Sequence, residues 1–589
     1  VNKVWKLHPP SPSAPSLAAE IGVTPLQAQL LINRALRDPE EARAFLFPRL
    51  SSMHDPMLLK DMDRALSVIL EALEKGDRIV IYGDYDADGV TATALLFHFF
   101  NAIHAPVSAY IPDRLEEGYG LNKEAVRKLA SEGVGLIITV DCGISDREEI
   151  ALAQDLGLGM VVTDHHRVPG DFTALCPVIN PNRPDCPFPF KGLAGVGLAF
   201  FLAVTLRTEL RERGWFRGRR EPDLREYLDL VALGTVADRA PLRDQNRILV
   251  RSGIEVMGRT RWAGLDAMKR AAGIGDSDLT AEDLAFRLGP RLNAPGRMGR
   301  TESALRMLTV QDVGAARDLA RELNALNERR QRTEEEILSR IEEVFRKGEG
   351  PEARKALVIG GRNWHKGVLG IVASRLVDKY HRPVLVLSLE DELAVGSGRS
   401  IAPFNLHEAL TRLAHLLERF GGHALAAGLA LKAQNLRALE SGLEALADRV
   451  LSDEDLRPML AADAEIPLDG IDAQLVRGLE ALSPYGEGNP EPLFLARSLQ
   501  VVMSRVVGER HLKLKVRQGR KVLDTIGFGM ADRHPLQGRT LHMLFTPELN
   551  RWQGHVSVQL RIKDLVLEDL GGQIDVLGTE DEKGFLARR

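Results

Sequence analysis

A chain of 589 residues with 77 Lys+Arg against 82 Asp+Glu is too long for a single module and predicts about three to five domains. Its 44% apolar and 27% charged composition excludes a disordered or collagen-like chain, and the formal charge of −5 argues against coating nucleic acid through global positive charge. Cys142, Cys176 and Cys186 are too few and too irregularly spaced for a disulfide framework or a Cys-x-x-Cys zinc site, which points to the cytoplasm.

Residues 1–75 read as an N-terminal helical segment, short helices joined by Pro-rich turns such as PSPSAPS and PRLSSMHDP, with no apolar core of a secretory signal. From residue 78 the pattern changes to short β-branched runs, RIVIYG, VGLIITV and LGMVVT, separated by helical periodicity. That alternation predicts βαβ units on a parallel sheet, here residues 76–310. The apolar run Leu193–Leu206 is shorter than the roughly 20 residues that span a bilayer and reads as a buried helix. Residues 311–347, without Pro and dense in i,i+4 charge pairs, predict a long connecting helix. KALVIGG, RPVLVLSL and the helical HEALTRLAHLLERF suggest a smaller α/β domain at 348–450, followed by linker helices at 451–489. Alternating runs from HLKLKVR to HVSVQLRIK predict a small β-barrel at 490–568, with a tail at 569–589.

The chemistry concentrates where the strands end, the usual place for functional groups in an open α/β sheet. Gly83-Asp84-Tyr85-Asp86-Ala87-Asp88-Gly89 sets three alternating carboxylates before a glycine, a costly cluster unless a cation neutralises it. A calcium EF-hand is excluded, because its twelfth loop position falls on Leu95 instead of Glu and a strand enters the loop. The bland alternative is an acidic turn capping a helix, with Asp88 or Thr91 as N-cap. Asp141 after a second strand and Asp164-His165-His166 after a third weigh against it, and Asp238 in GTVAD is a further candidate. A mixed carboxylate and imidazole set suits Mn²⁺ or Mg²⁺ better than zinc. No P-loop, GxGxxG or Ser, Cys or His nucleophile motif is evident, so the nucleophile is expected to be an activated water.

The order GDYDADG, DCGIS, DHH, GTVAD resembles the DHH phosphoesterase superfamily. NPNRPDCPFPFKGLAGVGLAF, GPRLNAPGRMG, WHKGVLGIVASRL, GSGRS, ERFGGHALAAGL and LSPYGEGNPEPLF extend the resemblance, over about residues 40–568, to the RecJ family of single-strand-specific 5′ to 3′ exonucleases. The resemblance implies a parallel-sheet DHH domain, a DHHA1 domain and an OB-fold. It implies that Asp86, Asp88, Asp141, His165 and Asp238 ligate two metal ions, with Asp141 or Asp88 as the shared bridge. Asp84 belongs to the same motif, and His166 is placed to contact the scissile phosphate or protonate the leaving oxygen. It further implies single-stranded DNA as substrate, and single-strand-binding protein and recombination helicases as possible partners.

Several segments are candidates for holding the strand. In GSGRS two glycines allow close backbone approach to an anion while Ser397, Arg399 and Ser400 bind it, and the resemblance adds Gly422 and His423. The alternative for His423 is capping the preceding helix. Arg287, Arg291, Arg297 and Arg300 around Asn293 form a plausible phosphate clamp, or else a solvated face. Residues 493–563 carry 13 Lys+Arg and 4 Asp+Glu, a local net of +9, so Lys513, Lys515, Arg517 and Arg551 are expected to line a groove, with Phe528, Phe545 and Trp552 as stacking candidates. Two other readings are a small-molecule DHH phosphodiesterase acting on short oligonucleotides or cyclic dinucleotides, which needs no basic barrel, and a non-catalytic scaffold, which needs no intact ligand set.

Overall fold

A computed structural model describes residues 3–114, 117–275, 279–348, 350–552, 555–570 and 574–576; the side chains at 551, 552, 570, 574 and 576 lie outside the description. The chain divides into two compact units, one of Pro48–Glu336 with Pro484–Asn489, the other of Val1–Phe47, Ile337–Ser483 and Pro490–Arg589.

In the first, five parallel strands lie in the order Val107–Tyr110, Arg78–Gly83, Val134–Val140, Gly159–Thr163, Val178–Ile179. The strand period of two sends Ile79, Ile81, Leu136 and Ile138 to one face, against helices Met62–Lys75, Ala87–Ala102, Gly195–Glu212 and Leu228–Ala237. Val80, Tyr82, Ile137 and Val162 go to the other, against Lys123–Ser131 and Arg147–Asp155. Covering both faces explains why the strands read as continuous apolar runs. The expected buried helix at Leu193–Leu206 is Gly195–Glu212, and among the described residues no helix is long and apolar enough to cross a membrane.

The second unit holds a mixed sheet in the order Arg419–Gly422, Ala426–Lys432, Leu393–Arg399, Val384–Glu390, Leu357–Arg362. Helix Leu369–Tyr380 packs on Val384 and Val386 on one face, and Leu406–Arg412 and Leu436–Val450 pack on Leu385 and Leu387 on the other. A closed five-stranded barrel follows: Phe494–Val507, His511–Gln518, Lys521–Gly527, His555–Leu567 and Thr540–Trp552, which pairs back onto the first. Register breaks at Val501/Met503, Ala496/Leu499 and Leu544/Phe545 bend the strands enough to close it.

Three local expectations need correction. The N-terminal segment is not purely helical: Val4–Leu7 is a strand between Met459–Ala462 and Ile574–Val576, and Pro25 and Pro39 open helices whose N-caps are Thr24 and Asp38. The stretch 451–489 holds the strands Met459–Ala462 and Ala464–Glu465 beside one α-helix, Ala473–Glu480. The helical run HEALTRLAHLLERF stops at Arg412, and its last residues turn into the strand Arg419–Gly422. The helical spacing of Leu413, Leu416 and Phe420 is met by all three reaching the same core from a turn and a strand.

Candidate functional site

The acidic motif leaves strand Arg78–Gly83 and enters helix Ala87–Ala102 through a turn so tight that a Cβ on Gly89 would lie 2.6 Å from the Asp84 carbonyl oxygen. Asp86, not Asp88 or Thr91, caps the helix, its Oδ1 accepting the N–H groups of Asp88 at 2.9 Å and Gly89 at 3.1 Å. The capping reading is therefore right about the turn, but it accounts for one of the three carboxylates.

Asp88 is held from far along the chain. Its two oxygens accept the N–H groups of Gly195 at 2.6 Å and Val196 at 2.8 Å, the first turn of helix Gly195–Glu212, where the helix dipole favours an anion. Asp141 ends its strand with φ of 62°, a left-handed conformation unusual for a residue with a side chain. The same Gly195 packs on it, since a Cβ there would lie 2.7 Å from the Asp141 Cβ.

Around this core His165 Nε2 stands 3.0 Å from Asp141, 3.8 Å from Asp88 and 3.8 Å from Asp238, the residue that ends helix Leu228–Ala237. Ligand atoms of Asp141, His165 and His166, of Asp88, His165 and Asp238, and of Asp84, Asp86 and Asp141 each fall within 4.8 Å of one another. Asp84 Oδ1, Asp141 Oδ1 and His165 Nε2 are buried without a well-directed hydrogen bond, the last two facing each other at 3.0 Å. Buried acceptors in that state are costly, and these converge on one place.

The electrostatics agree. Burial, then the Asp86 charge, pushes Asp88 up to about 7, and burial with Asp88 and Asp86 pushes Asp238 up to about 9. Asp84 and Asp141 are raised well above the carboxylate range by burial and their acidic neighbours. Burial, and next the His166 charge, lowers His165 to about 4, so its imidazole is neutral and able to ligate. The carboxylates repel one another and His165 offers a lone pair: this donor set fits hard divalent cations.

His166 differs from its neighbour. Burial opposes its charge, but the 2.7 Å contact of Nδ1 with Asp164 overrides burial and raises its pKa to about 9. Tyr119 adds its hydroxyl 3.0 Å from the same Nδ1 while donating to the Asp141 carbonyl at 3.1 Å. Asp164 is anchored in turn by the Ile144 N–H at 2.9 Å. Sequence reasoning passed over Tyr119, Asp164 as a partner, and Gly195. The glycines either side of Tyr119, both with φ above 80°, were the available signal.

The arginine stretch is partly structural. Asn293 is committed through its Oδ1, which accepts the Ala87 N–H at 2.8 Å and so pins the acidic turn. Arg291 donates to Asn324 and to the Arg287 carbonyl, and Arg287 to Asp283 and the Ala272 carbonyl, which engages both guanidinium groups in the scaffold. Arg297 is half-buried near Tyr85, whose hydroxyl burial pushes up to about 12, and Arg300 is exposed.

In the smaller sheet, Gly421, Gly428 and Ser397 form a cross-strand row, and a Cβ at either glycine would meet nothing within 4 Å. Arg399, two residues along the same face, lies 3.0 Å from where a Cβ of Gly370 would stand, at the first turn of helix Leu369–Tyr380. A guanidinium beside the positive end of a helix is an arrangement that an anion relieves. Ser400 is otherwise engaged, its hydroxyl donating to the Phe404 carbonyl at 2.7 Å to fasten the turn. Gly422, with φ of 136°, and His423 form a strand-to-strand turn in which the His423 N–H donates to the Ala426 carbonyl, and the element that precedes His423 is the strand Arg419–Gly422, not a helix.

On the barrel, Lys513, Lys515 and Arg517 alternate outward from strand His511–Gln518, with Arg505 paired in register to Lys513. The local positive charge is partly offset by acids outside the counted stretch: Arg497 pairs with Glu465, Arg539 with Asp569, and Arg561 and Lys563 with Glu491. Arg505, Lys513 and Lys515 form no ion pair with any described residue. Phe528 is exposed and meets His511 edge to face at 5.2 Å, whereas Phe545 is fully buried against Phe494 and belongs to the core. The side chains of Arg551 and Trp552 lie outside the described residues.

Comparison with known proteins places this geometry. The model of the DHH family N-terminal domain matches residues 78–235, the DHHA1 domain 354–450, and the RecJ OB domain 462–564. The chain is 37% identical to the single-stranded-DNA-specific exonuclease RecJ of Bacillus subtilis over 96% of this chain and 71% of that protein. It is similar to the structure of RecJ in complex with Mn²⁺ from Thermus thermophilus, with TM-score 0.81, 34% identity, and coverage of 96% of this chain and 79% of that one. The Mg²⁺ complex of the same organism's RecJ gives TM-score 0.77 at 32% identity, covering 97% of this chain and 79% of that one.

Proposed function

The chain belongs to the RecJ family, and from that premise we propose how its residues work: it is a Mn²⁺- or Mg²⁺-dependent exonuclease that hydrolyses single-stranded DNA to mononucleotides, entering at the 5′ end. The observation that carries the assignment of residues is the convergence of three buried ligand atoms, none with a well-directed hydrogen bond, among mutually repelling carboxylates.

Asp86, Asp88, Asp141, His165 and Asp238 would hold the cations, with Asp84 beside them. Asp141 and His165 each belong to two of the three overlapping ligand groups, which favours Asp141 over Asp88 as the shared carboxylate. Bound there, divalent cations would supply acidification of the attacking water and neutralisation of charge on the phosphate and leaving oxygen. The chain's own residues supply the rest. The N–H groups of Gly195 and Val196 orient Asp88, and Asn293 holds the acidic turn in place. His166 is protonated at neutral pH, and Asp164 and Tyr119 fix its Nδ1. That leaves Nε2 to carry the proton toward the leaving oxygen.

Arg399 and the first turn of helix Leu369–Tyr380 bind a terminal phosphate, and the row Gly421, Gly428 and Ser397, with Gly422 and His423, lies against the strand's backbone. Lys513, Lys515 and Arg517 with Arg505 track phosphates on the barrel, where Phe528 offers a stacking face. Three free, buried cysteines suit a cytoplasmic protein. The family's reaction further suggests single-strand-binding protein and recombination helicases as partners.

Digestion of end-labelled strands tests the reading. With Mn²⁺ or Mg²⁺, 5′-labelled single-stranded DNA should yield labelled mononucleotide at once, and 3′-labelled DNA only late. RNA and blunt duplex should be spared; equal rates on duplex and single strand would remove the strand preference.

A further inference from the structure

Asp238 is the most exposed of the carboxylates around His165, with 26% of its side chain accessible against 0% for Asp88 and 2% for Asp141. It ends a helix, and a short link carries the chain to the next helix, Asp244–Met257, through Arg239, whose φ is 61°. Within the link the Ala240 N–H returns to Thr235 and the Asn246 amide donates to the Pro241 carbonyl. Leu242 N–H takes its partner from outside the link.

The partner comes from about 245 residues downstream. Pro484–Asn489 is a self-contained turn: Gly486 and Asn489 exchange backbone hydrogen bonds at 2.9 and 3.2 Å, and the buried Asn489 amide donates to the Pro484 carbonyl at 2.8 Å. Its carbonyls face the link. Leu242 N–H donates to Glu487 O at 2.7 Å and Arg243 Nε to Gly488 O at 2.6 Å, while Arg239 pairs with the Glu487 carboxylate at 3.2 Å. The approach is too close for side chains: a Cβ on Gly486 would lie 2.7 Å from Leu242, and one on Gly488 3.1 Å from Pro241. A segment that only covered apolar surface would present side chains. This one presents main-chain acceptors to the residues that follow Asp238.

We propose that the turn Pro484–Asn489 is a positioning element of the metal centre, fixing Asp238 by docking on the link that follows it. The proposal rests on the reading of Asp238 as a ligand, so its test includes that residue. Metal-free wild type, Asp238→Asn, Gly488→Val, Arg243→Ala and Arg243→Lys are titrated with Mn²⁺ by calorimetry. Turnover and KM on single-stranded DNA and the thermal midpoint are measured alongside. Gly488→Val and Arg243→Ala should each weaken Mn²⁺ binding about tenfold and lower kcat on the order of 100-fold, as expected for a ligand displaced by about 1 Å. KM should stay within about twofold, and Arg243→Lys should recover part of the Mn²⁺ affinity. Should Gly488→Val fail to fold, the Arg243 pair carries the test alone. Wild-type Mn²⁺ affinity in folded Arg243→Ala, with Asp238→Asn weakened, overturns the positioning role and leaves the ligand assignment standing. Unchanged binding in Asp238→Asn overturns both.

Discussion

Gly195 touches no substrate in the proposed mechanism, yet replacing it with Ala should disable the enzyme. A Cβ at that position would lie 2.7 Å from the Asp141 Cβ and 2.9 Å from its Oδ1, where ordinary contact needs about 3.5–4 Å. Asp141 or the helix must therefore move by about 1 Å, and the N–H groups that Gly195 and Val196 direct at Asp88 move with the helix. Overpacking of this kind costs about 1–3 kcal/mol, offset by up to about 1 kcal/mol from replacing a helical glycine with Ala. The net of roughly 0–3 kcal/mol lowers the thermal midpoint by at most about 6–12 °C. A 1 Å misplacement of a catalytic group costs about 100-fold in rate. Turnover of 5′-labelled single-stranded DNA at saturating Mn²⁺, beside a thermal melt of the same sample, should show that separation. Gly195→Ala with near wild-type turnover would refute the claim that this helix start sets the metal-binding carboxylates.

Three further outcomes are expected. Because Asp88 and Asp238 titrate near 7 and 9 in the absence of metal but near 3.8 when unfolded, they destabilise the metal-free fold as pH rises through that window; a bound cation must displace their protons. The Mn²⁺-induced rise in melting temperature should therefore grow from pH 6.5 to 8.5, and a pH-independent shift would contradict it. Asp229, buried and accepting from Thr260, Trp262 and Leu230, is pushed up to about 6 by burial, so folding loses about 3 kcal/mol as pH climbs from about 4 to 6. Asp229→Asn should flatten the pH dependence of stability there, and an unchanged slope would show that the carboxylate is not the cause. Replacing Arg505, Lys513 and Lys515 together by Ala should reduce the slope of log K against log salt for single-stranded DNA by about 2; a fluorescence titration that finds the wild-type slope would remove those residues from the binding surface.

What the sequence made legible follows from which interactions are local. The strands Arg78–Gly83 and Val134–Val140 coincide with their apolar runs, and the carboxylates that follow them converge because parallel strands share one carboxyl edge. Partners distant in sequence left no periodic trace. The grip of Gly195 and Val196 on Asp88 crosses more than 100 residues, and the bond by which Asn293 holds Ala87 crosses 206. The strand Val4–Leu7 is four residues long, too short for alternation to be visible, and exists because Met459–Ala462 pairs with it. The basic count over the barrel overstated its free charge, since Glu465, Glu491 and Asp569, which pair with it, lie outside the counted stretch.

The row of Gly421, Gly428 and Ser397 has a consequence for information as well as for shape. If the strand lies there as proposed, the two glycines offer it no side chain and Ser397 one small hydroxyl, whereas telling one base from another requires donors and acceptors matched to base edges. A nucleotide on such a row would be gripped by its phosphate and sugar, and the surface would be blind to the text it handles. An enzyme meant to erase a strand from one end, whatever that strand encodes, gains from this illiteracy: no letter binds so well that digestion stalls on it.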